Sequence, residues 1–244
     1  MSLRVTTAVA VRVLMQLRRD PRTLVLIVGV PCLLEALLRE LFAGQSLVFQ
    51  HVGAPLLGLF PFVTMFLVTS ITMLRERTSG TLERLMTLPL GKLDLLAGYG
   101  AAFAVVAAVQ VAIVSALTFG ALGLDVQGPQ AVVAALAVAN AVLGTALGLF
   151  VSAFAQTEFQ AVQFMPAMVF PQILLCGLFV ARTEMAAWLR WISDALPLTY
   201  AYDALAHTAS DALDTRFAVD VAVVCGCIVL ALALGAATLR RRTD

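Results

Sequence analysis

The sequence predicts an all-α integral membrane protein with six transmembrane helices. Hydrophobic residues make up 61% of the 244 residues and charged residues only 13%, whereas roughly one quarter of a soluble domain is charged. The mean hydropathy is +0.96. The apolar residues also fall into six runs, each of about 20 residues, which is the length of helix that crosses a hydrocarbon core about 30 Å thick. Because little chain is left over, we expect a single membrane domain over residues 1–244.

The first segment predicts an amphipathic helix over residues 3–20, within an interfacial segment at 1–22. One side of this helix is apolar and carries Val5, Val9, Val13, Leu14 and Leu17. The opposite side carries Arg12, Gln16 and Arg19. A helix of this kind lies in the membrane interface. Its arginines are also typical of a signal peptide, but no small-residue cleavage site follows the apolar run, so we expect the segment to be retained.

Six spans follow, with one polar loop at residues 75–94 and an outer segment at 181–216. We expect the spans at 24–42, 53–74, 95–118, 131–154, 159–180 and 221–239. Proline cannot donate a backbone hydrogen bond inside a helix. Pro55 and Pro61 should therefore kink or bound the second span, and Pro166 and Pro171 should break the fifth.

The first span is interrupted by Glu35, Arg39 and Glu40. Glu35 and Arg39 are four residues apart, so the two side chains can pair on one face of a helix. One interpretation is a neutralised pair near the outer headgroups. The other is that Glu35 is a polar contact in a transport path, since ionisable groups inside a membrane are costly unless they are used.

The fourth span carries Asn140, Gly144 and Gly148 at four-residue spacing. Small residues at this spacing let another helix approach closely. The partner helix is expected inside the subunit, with a subunit interface as the alternative. Asn140 joins Glu35 as a candidate residue of the transport path.

The polar passage from Arg75 to Lys92 predicts a cytoplasmic helix of about two turns. Thr81 is the expected N-cap, Glu83 lies in the first turn, and Pro89 with Gly91 ends the helix. An apolar stripe on one side consists of Leu82, Leu85 and Met86, while Glu83, Arg84 and Thr87 face the other way. So short a helix is marginal in water, so the stripe needs a lipid surface or another protein to dock on.

The outer segment gathers both tryptophans and two of the three tyrosines, namely Trp188, Trp191, Tyr200 and Tyr202. Trp and Tyr favour the headgroup level, so we predict short helices, joined at Pro197, that lie on or dip into the outer interface. A substrate-contacting lid is the alternative. His207 has Asp203 and Asp211 four residues away on either side, but a solvated helix face is commoner than a metal site with one histidine. We expect no metal site.

The distribution of basic residues predicts that both termini are cytoplasmic. Twelve of the sixteen then lie inside: Arg4, Arg12, Arg18, Arg19, Arg22, Arg75, Arg77, Arg84, Lys92, Arg240, Arg241 and Arg242. The four outside are Arg39, Arg182, Arg190 and Arg216. This is the bias that the positive-inside rule expects.

Enzymatic functions are disfavoured because the spans contain no HExxH, no GxSxG and no pair of aspartates. A net charge of +1 gives no reason to expect a nucleic-acid partner. Two transport hypotheses remain. The paired prolines suggest a secondary transporter built from two three-helix halves. The apolar stripe suggests instead a contact for a cytosolic motor subunit, and the chain itself has no GxxxxGK[ST] phosphate loop.

Three ordered patches resemble the ABC type-2 exporter permeases, particularly the daunorubicin-resistance-like group. The first patch follows the family pattern E-x-x-x-G-T-x-E-x-L-x-x-x-P with Glu76, Gly80, Thr81, Glu83, Leu85 and Pro89. The second is the turn from Glu158 to Phe164. The third runs from Gly177 through the Trp188-Leu-Arg-Trp stretch to Leu205. The charge at Glu35, Arg39 and Glu40 departs from what that family leads us to expect.

The resemblance implies a permease without a catalytic site, whose coupling helix fits into a separate cytosolic ATPase. The implied coupling residues are Glu76, Gly80, Thr81, Leu82, Glu83, Leu85, Met86 and Pro89. ATP and Mg would be bound by the ATPase and no cofactor by this chain. Two permeases and two ATPases would form the exporter, in the bacterial inner membrane. Spans rich in Leu, Val, Ala and Phe favour a hydrophobic or amphiphilic cargo, with a polysaccharide as the alternative.

Overall fold

The computed structural model describes residues 3–81, 91–210 and 214–238. Within those ranges the chain folds into α-helices with one π-helix, one 3-10 helix and no β-strand. The α-helices are α1 Leu3–Arg18, α2 Pro21–Leu41, α3 Ser46–Thr78, α4 Lys92–Ser115, α5 Gln130–Val151, α6 Glu158–Leu175, α7 Ala187–Ala195, α8 Pro197–Ala209 and α9 Thr215–Thr238. The π-helix Ala116–Ala121 continues α4, and the 3-10 helix is Arg182–Glu184. The prediction of an all-α integral membrane protein is confirmed.

Four helices of the described chain are long and apolar enough to cross a membrane. They are α3, α4 together with the π-helix, α5 and α9. The other two helices that six spans require are more polar: α2 contains Glu35, Arg39 and Glu40, and α6 has only 18 residues and begins with Glu158. Six spans therefore stay a prediction.

Helices α3 and α5 pack against each other through the predicted small-residue face. A Cβ atom on Gly144 would lie 2.3 Å from the carbonyl oxygen of Phe62, and one on Gly148 would lie 2.4 Å from that of Phe66. Atoms this close would collide, so the two backbones can meet only because glycine stands at both positions. The interpretation that this face packs inside the subunit is confirmed.

The prolines do not interrupt the helices. Pro55 and Pro61 lie inside α3, and Pro166 and Pro171 lie inside α6, which runs on to Leu175. The prediction that the fifth span is broken is therefore wrong, and α3 is not bounded by its prolines. Membrane helices tolerate proline where neighbouring groups satisfy the freed carbonyls.

A third helix with an internal proline, α2, shows how such a carbonyl is satisfied. Pro31 has no N–H for the carbonyl of Ile27, four residues earlier. The buried side chain of Gln110 on α4 donates from Nε2 to that carbonyl at 2.7 Å, and Nε2 also lies 3.3 Å from the hydroxyl of Thr64 on α3. One amide thus ties three helices together at the proline.

The amphipathic helix predicted at the N-terminus is α1. Its residues Val9, Val13 and Leu17 are buried, and α1 packs on α4, where a Cβ atom on Gly98 would lie 2.6 Å from Cβ of Val9. The apolar side predicted from the sequence therefore rests largely on protein. The opposite side presents Arg12 to the end of α3.

Candidate coupling site and transport groove

The C-terminal end of α3, which is the predicted cytoplasmic end, is the centre of the candidate site, beginning with Glu76. Nη2 of Arg12 on α1 donates to both carboxylate oxygens of Glu76 at 3.0 Å, and Nε2 of Gln16 donates to Oε1 at 3.2 Å. Glu76 is buried, and the Arg12 side chain is 27% exposed. Burial by itself lowers the pKa of Arg12, but its hydrogen bond to Glu76 and its electrostatic interactions with Tyr99 and Glu76 together outweigh burial and raise that pKa.

The residue before Glu76 reaches a different helix. Nε and Nη2 of Arg75 donate to Oε1 and Oε2 of Glu158 at 2.7 and 3.0 Å, a two-pronged ion pair with the first residue of α6. The hydrogen bond from Arg75 lowers the pKa of Glu158. The pair is exposed to solvent. It joins two of the three sequence patches, which are more than 80 residues apart.

The residue after Glu76 reaches a third element. Nη1 of Arg77 donates to the carbonyl oxygen of Ser152, the residue that ends α5. Three consecutive residues of α3 therefore contact α6, α1 and the end of α5 in turn. Neither Arg12 nor Ser152 was predicted from the sequence as a partner of these residues, although the placement of Arg12 and Gln16 on one side of α1 was an available signal.

The chain leaves α3 through Ser79 and Gly80. Gly80 has a φ of 71°, a conformation that favours glycine, and nothing lies within 4 Å of where its Cβ would be. The hydroxyls of Ser79 and Thr81 are 2.9 Å apart. The coupling residues Leu82, Glu83, Leu85, Met86 and Pro89 lie outside the described residues, so the short helix and the N-cap role of Thr81 stay predictions.

A groove of about 580 Å³ lies between α2, α3 and α6. Most of its wall is apolar, including Leu26 and Val30 of α2, Phe60 of α3 and Phe170 of α6. Its polar side chains are threonines and Arg75. The groove therefore ends at the same arginine that pairs with Glu158.

The two candidate residues of the transport path do not line this groove. Asn140 is buried and borders a small space of about 10 Å³ beside Pro55 and Tyr202. Glu35 is 0% exposed. The predicted pair of Glu35 with Arg39 is wrong: Nε of Arg39 donates to the carbonyl of Leu122 at 3.0 Å, so the guanidinium points to the end of the π-helix.

The outer segment is organised by Arg182. Nη1 of Arg182 donates to Asp203 at 2.6 Å, and Nη2 donates to Asp194. Burial raises the pKa of Asp203, although Arg182 opposes that shift. Arg190 donates to the backbone carbonyls of residues 182, 183 and 185. These bonds fold the segment before α7 onto α7 and α8.

The aromatic residues of this segment divide into two groups. Trp188 and Trp191 are 63% and 77% exposed on α7, as an interfacial anchor requires. Tyr200 and Tyr202 are half-buried on α8, which begins at Pro197 as predicted. Gly177, with a φ of 107°, lies against the ring of Tyr202.

A polar cavity of about 830 Å³ opens between the outer segment and the start of α9. His207 lines it, with Nδ1 3.7 Å from Asp220 of α9. Its predicted neighbour Asp203 bonds Arg182 instead, and Asp211 lies outside the described residues. In the part of the chain that the structure describes, no three His, Cys, Asp or Glu side chains are grouped for a metal ion.

The comparison that decides the family covers most of the chain. Residues 4–209 match the family described as ABC-2 type transporter. The chain belongs to this family. The prediction of an ABC type-2 permease is confirmed, and the daunorubicin-resistance-like group stays a prediction.

Two curated relatives of this ABC-2 chain are also ABC transporters. ABC transporter G family member 20 of Dictyostelium discoideum is 24% identical over 147 residues, which are 60% of this chain and 20% of that protein. The probable multidrug ABC transporter permease YbhR of Escherichia coli K12 is 28% identical over 141 residues, 57% of this chain and 38% of that protein. The chain thus matches well under half the length of each relative.

In this ABC-2 membrane subunit, two of the motif patches meet at the end of α3 and the third forms the outer segment. In the described part of the subunit, the C-terminal end of α3 is therefore bound to three other elements, and an apolar groove extends toward it.

Proposed function

We propose that this multi-pass membrane chain is the permease subunit of an ATP-driven exporter that moves a hydrophobic or amphiphilic compound out of the cell. A separate cytosolic ATPase binds ATP and Mg and supplies the energy. A second permease, identical or related, completes the transporter. The chain has six spans in the bacterial inner membrane, with both termini cytoplasmic.

The observation that carries the proposal is the set of contacts made by residues 75–77. ATP binding closes the ATPase pair and displaces the loop that follows Gly80. Because Arg75, Glu76 and Arg77 contact α6, α1 and the end of α5, the displacement reaches these elements together. The groove between α2, α3 and α6 then changes shape, and the population shifts toward a state open to the outside.

The lining of the groove supports an amphiphilic cargo. Its walls are aliphatic and phenylalanine side chains, which favour apolar groups, and its Thr23 and Arg75 can meet a polar end. A polysaccharide would need many hydrogen-bonding groups or exposed tryptophans along its path. The described residues of the groove include no tryptophan or tyrosine.

The proposal is tested by measuring two properties of the chain, its association with the ATPase and the export of cargo in the presence of the ATPase. Leu85→Asp places a charge on the predicted apolar stripe and should abolish both. Thr87→Asp, on the opposite side of the predicted helix, is the matched control and should preserve both. Association and export that survive Leu85→Asp contradict the coupling role. Uphill transport by the chain alone, driven by an ion gradient in vesicles, contradicts the ATP-driven mechanism.

A further inference from the structure

Helix α2 and the helix formed by α4 and the π-helix run side by side in a constant register. Gln110 bonds the carbonyl of Ile27, and Arg39 bonds the carbonyl of Leu122. In each pair, the residue on the second helix comes 83 positions after its partner on α2. The two helices therefore run in the same direction, and between these bonds residues that are 83 positions apart lie at the same height. The same offset places Glu35 level with Thr118.

Glu35 and Thr118 are both buried polar residues. Both are 0% exposed. Among the described residues, neither carboxylate oxygen of Glu35 has a hydrogen-bond partner. The same is true of the hydroxyl of Thr118. Thr118 is the buried residue of the π-helix, and π-helical turns occur frequently at functional sites. Two unpartnered polar groups thus lie at the same depth on adjacent elements.

The charged and titratable groups around Glu35 do not neutralise it. On its own helix, Arg39 is engaged by Leu122 and its guanidinium carbon lies 5.5 Å from the ring centroid of Phe49, while Cys32 is a thiol. On α3, His51 is exposed. Between Leu95 and Leu124 the neighbouring helix has no charged residue, and its Tyr99 lies near Arg12 at the cytoplasmic end.

We propose that Glu35, at the level of Thr118, forms a buried proton-binding site in the membrane domain. An isolated carboxylate in an apolar interior is so costly that the group takes up a proton instead. The proton comes from hydronium: an O–H bond forms on one carboxylate oxygen and a water molecule is left. When α2 and the π-helix separate and water enters, the carboxylic acid returns the proton to water and Arg39 becomes available as a counter-ion. The site does not depend on the export function proposed above.

The direct test is the infrared spectrum of the purified chain in lipid at neutral pH. A protonated carboxyl has a C=O stretch separate from that of a carboxylate. We expect such a band in the wild type, shifted when glutamate carboxyls are labelled with carbon-13 and absent from Glu35→Gln. Glu40→Gln changes an exposed glutamate of the same helix and should keep the band. A wild-type spectrum without a protonated glutamate band, or a band that Glu35→Gln leaves intact, overturns the proposal.

A second variant separates the site from a general effect on folding. Thr118→Val removes the hydroxyl at the level of Glu35 and should move the frequency of the Glu35 band without removing it. The carbon-13 experiment needs no substitution, so the proposal stays testable if Glu35→Gln fails to fold. An unmoved band in folded Thr118→Val shows that Thr118 is not part of the site. Export by the ATPase complex, measured in parallel, distinguishes failure of the proton site from failure of the transport function.

Discussion

Glu76 and Glu158 each receive two hydrogen bonds from an arginine, at distances between 2.7 and 3.0 Å. Their surroundings differ. The Glu76 side chain is 9% exposed and that of Glu158 is 53% exposed. Solvent screens the exposed pair of Arg75 with Glu158, which weakens its effect on stability. The buried Glu76 carboxylate has lost its hydration, so its charge would be costly without Arg12. The two arginines should therefore have different effects on stability.

Arg12→Ala leaves the buried Glu76 without its cation. Breaking a fully buried ion pair costs about 3–5 kcal/mol, and the remaining exposure of Arg12 reduces our expectation to about 2 kcal/mol. Arg75→Ala, the matched control at the exposed pair, should cost less than about 1 kcal/mol. Unfolding in mild detergent measures both. Equal losses would contradict the assignment of Glu76 as the buried member.

The pair of Arg75 with Glu158 also predicts a dependence on pH. Because Arg75 lowers the pKa of Glu158 in the folded chain, the pair contributes stability above the unfolded-state pKa of about 4.3. That contribution is lost as the pH falls through the lowered folded-state value. It amounts to less than about 1 kcal/mol because the pair is exposed.

Glu158→Gln should lose this contribution, less than about 1 kcal/mol, at neutral pH and should therefore remove this part of the acid dependence. Unfolding midpoints of wild type and variant, measured down a series of acidic pH values, give the comparison. Parallel curves for the two proteins would show that the pair has no such role.

At the scale of elements, α3 and α5 depend on glycine at their contact. Gly148→Ala would place a Cβ 2.4 Å from the carbonyl oxygen of Phe66 and 2.3 Å from the hydroxyl of Thr69. Because backbone cannot move away cheaply, we expect a loss of about 1–3 kcal/mol. In Gly100→Ala the new Cβ meets only the end of the Leu232 side chain at 3.7 Å, and stability should be retained. Thermal unfolding of both variants measures the two changes in stability. A similar change in both would contradict the special role of glycine at position 148.

The bond between Gln110 and the carbonyl of Ile27 predicts a coupling between α2 and α4. Gln110→Leu leaves that carbonyl without its partner and should cost about 1–3 kcal/mol. Pro31→Ala restores a backbone donor for the same carbonyl, so Gln110→Leu should cost less in the Pro31→Ala background. A double-mutant cycle of unfolding free energies measures the difference. Additive effects would mean that Gln110 does not replace the missing donor.

Regular spacing of residues along one helix allowed a packing face to be predicted from the sequence. Contacts between residues that are distant in the sequence could not be predicted in this way. The spacing of Gly144 and Gly148 identified a packing face because small residues four apart always share a side. The bond of Gln110 to Ile27 could not be predicted, because it joins residues 83 apart. The local pair of Glu35 with Arg39 failed for the same reason: the carbonyl of Leu122, distant in sequence, binds Arg39 instead.

At the scale of the whole molecule, the number of spans can be tested with single cysteines. The free cysteines Cys32, Cys176, Cys225 and Cys227 are first replaced. With six spans and cytoplasmic termini, reagents that cannot cross the membrane should label Thr7→Cys and Ser79→Cys from the cytoplasm only. Thr183→Cys should be labelled from outside only.

Thr7→Cys and Thr183→Cys each report on one of the two more polar helices, α2 and α6. Labelling of Thr7→Cys from outside would show that α2 does not cross the membrane. Labelling of Thr183→Cys from the cytoplasm would show that α6 does not cross. Gln127→Cys, between α4 and α5, is the outer control because both neighbouring helices are long and apolar enough to cross a membrane.

Composition and the length of the apolar runs were enough to predict the fold class, and the motif patches were enough to predict the family. The outcome at the candidate site was mixed. Glu76 was predicted as a coupling residue from a motif of neighbouring residues in the sequence. Its partner Arg12 is 64 residues away, so the motif could not identify it. The patches at Arg75 and Glu158 were recognised separately, and only the folded chain shows that they touch.

The length of α3 has a mechanical consequence. Its 33 residues correspond to about 50 Å, about 20 Å more than the hydrocarbon core. A rod of that length acts as a lever: a tilt of about 10° about one end moves the other end by about 9 Å. A displacement of several ångström at the end of α3 that carries Glu76 therefore corresponds to only a small rotation of the helix within the bilayer.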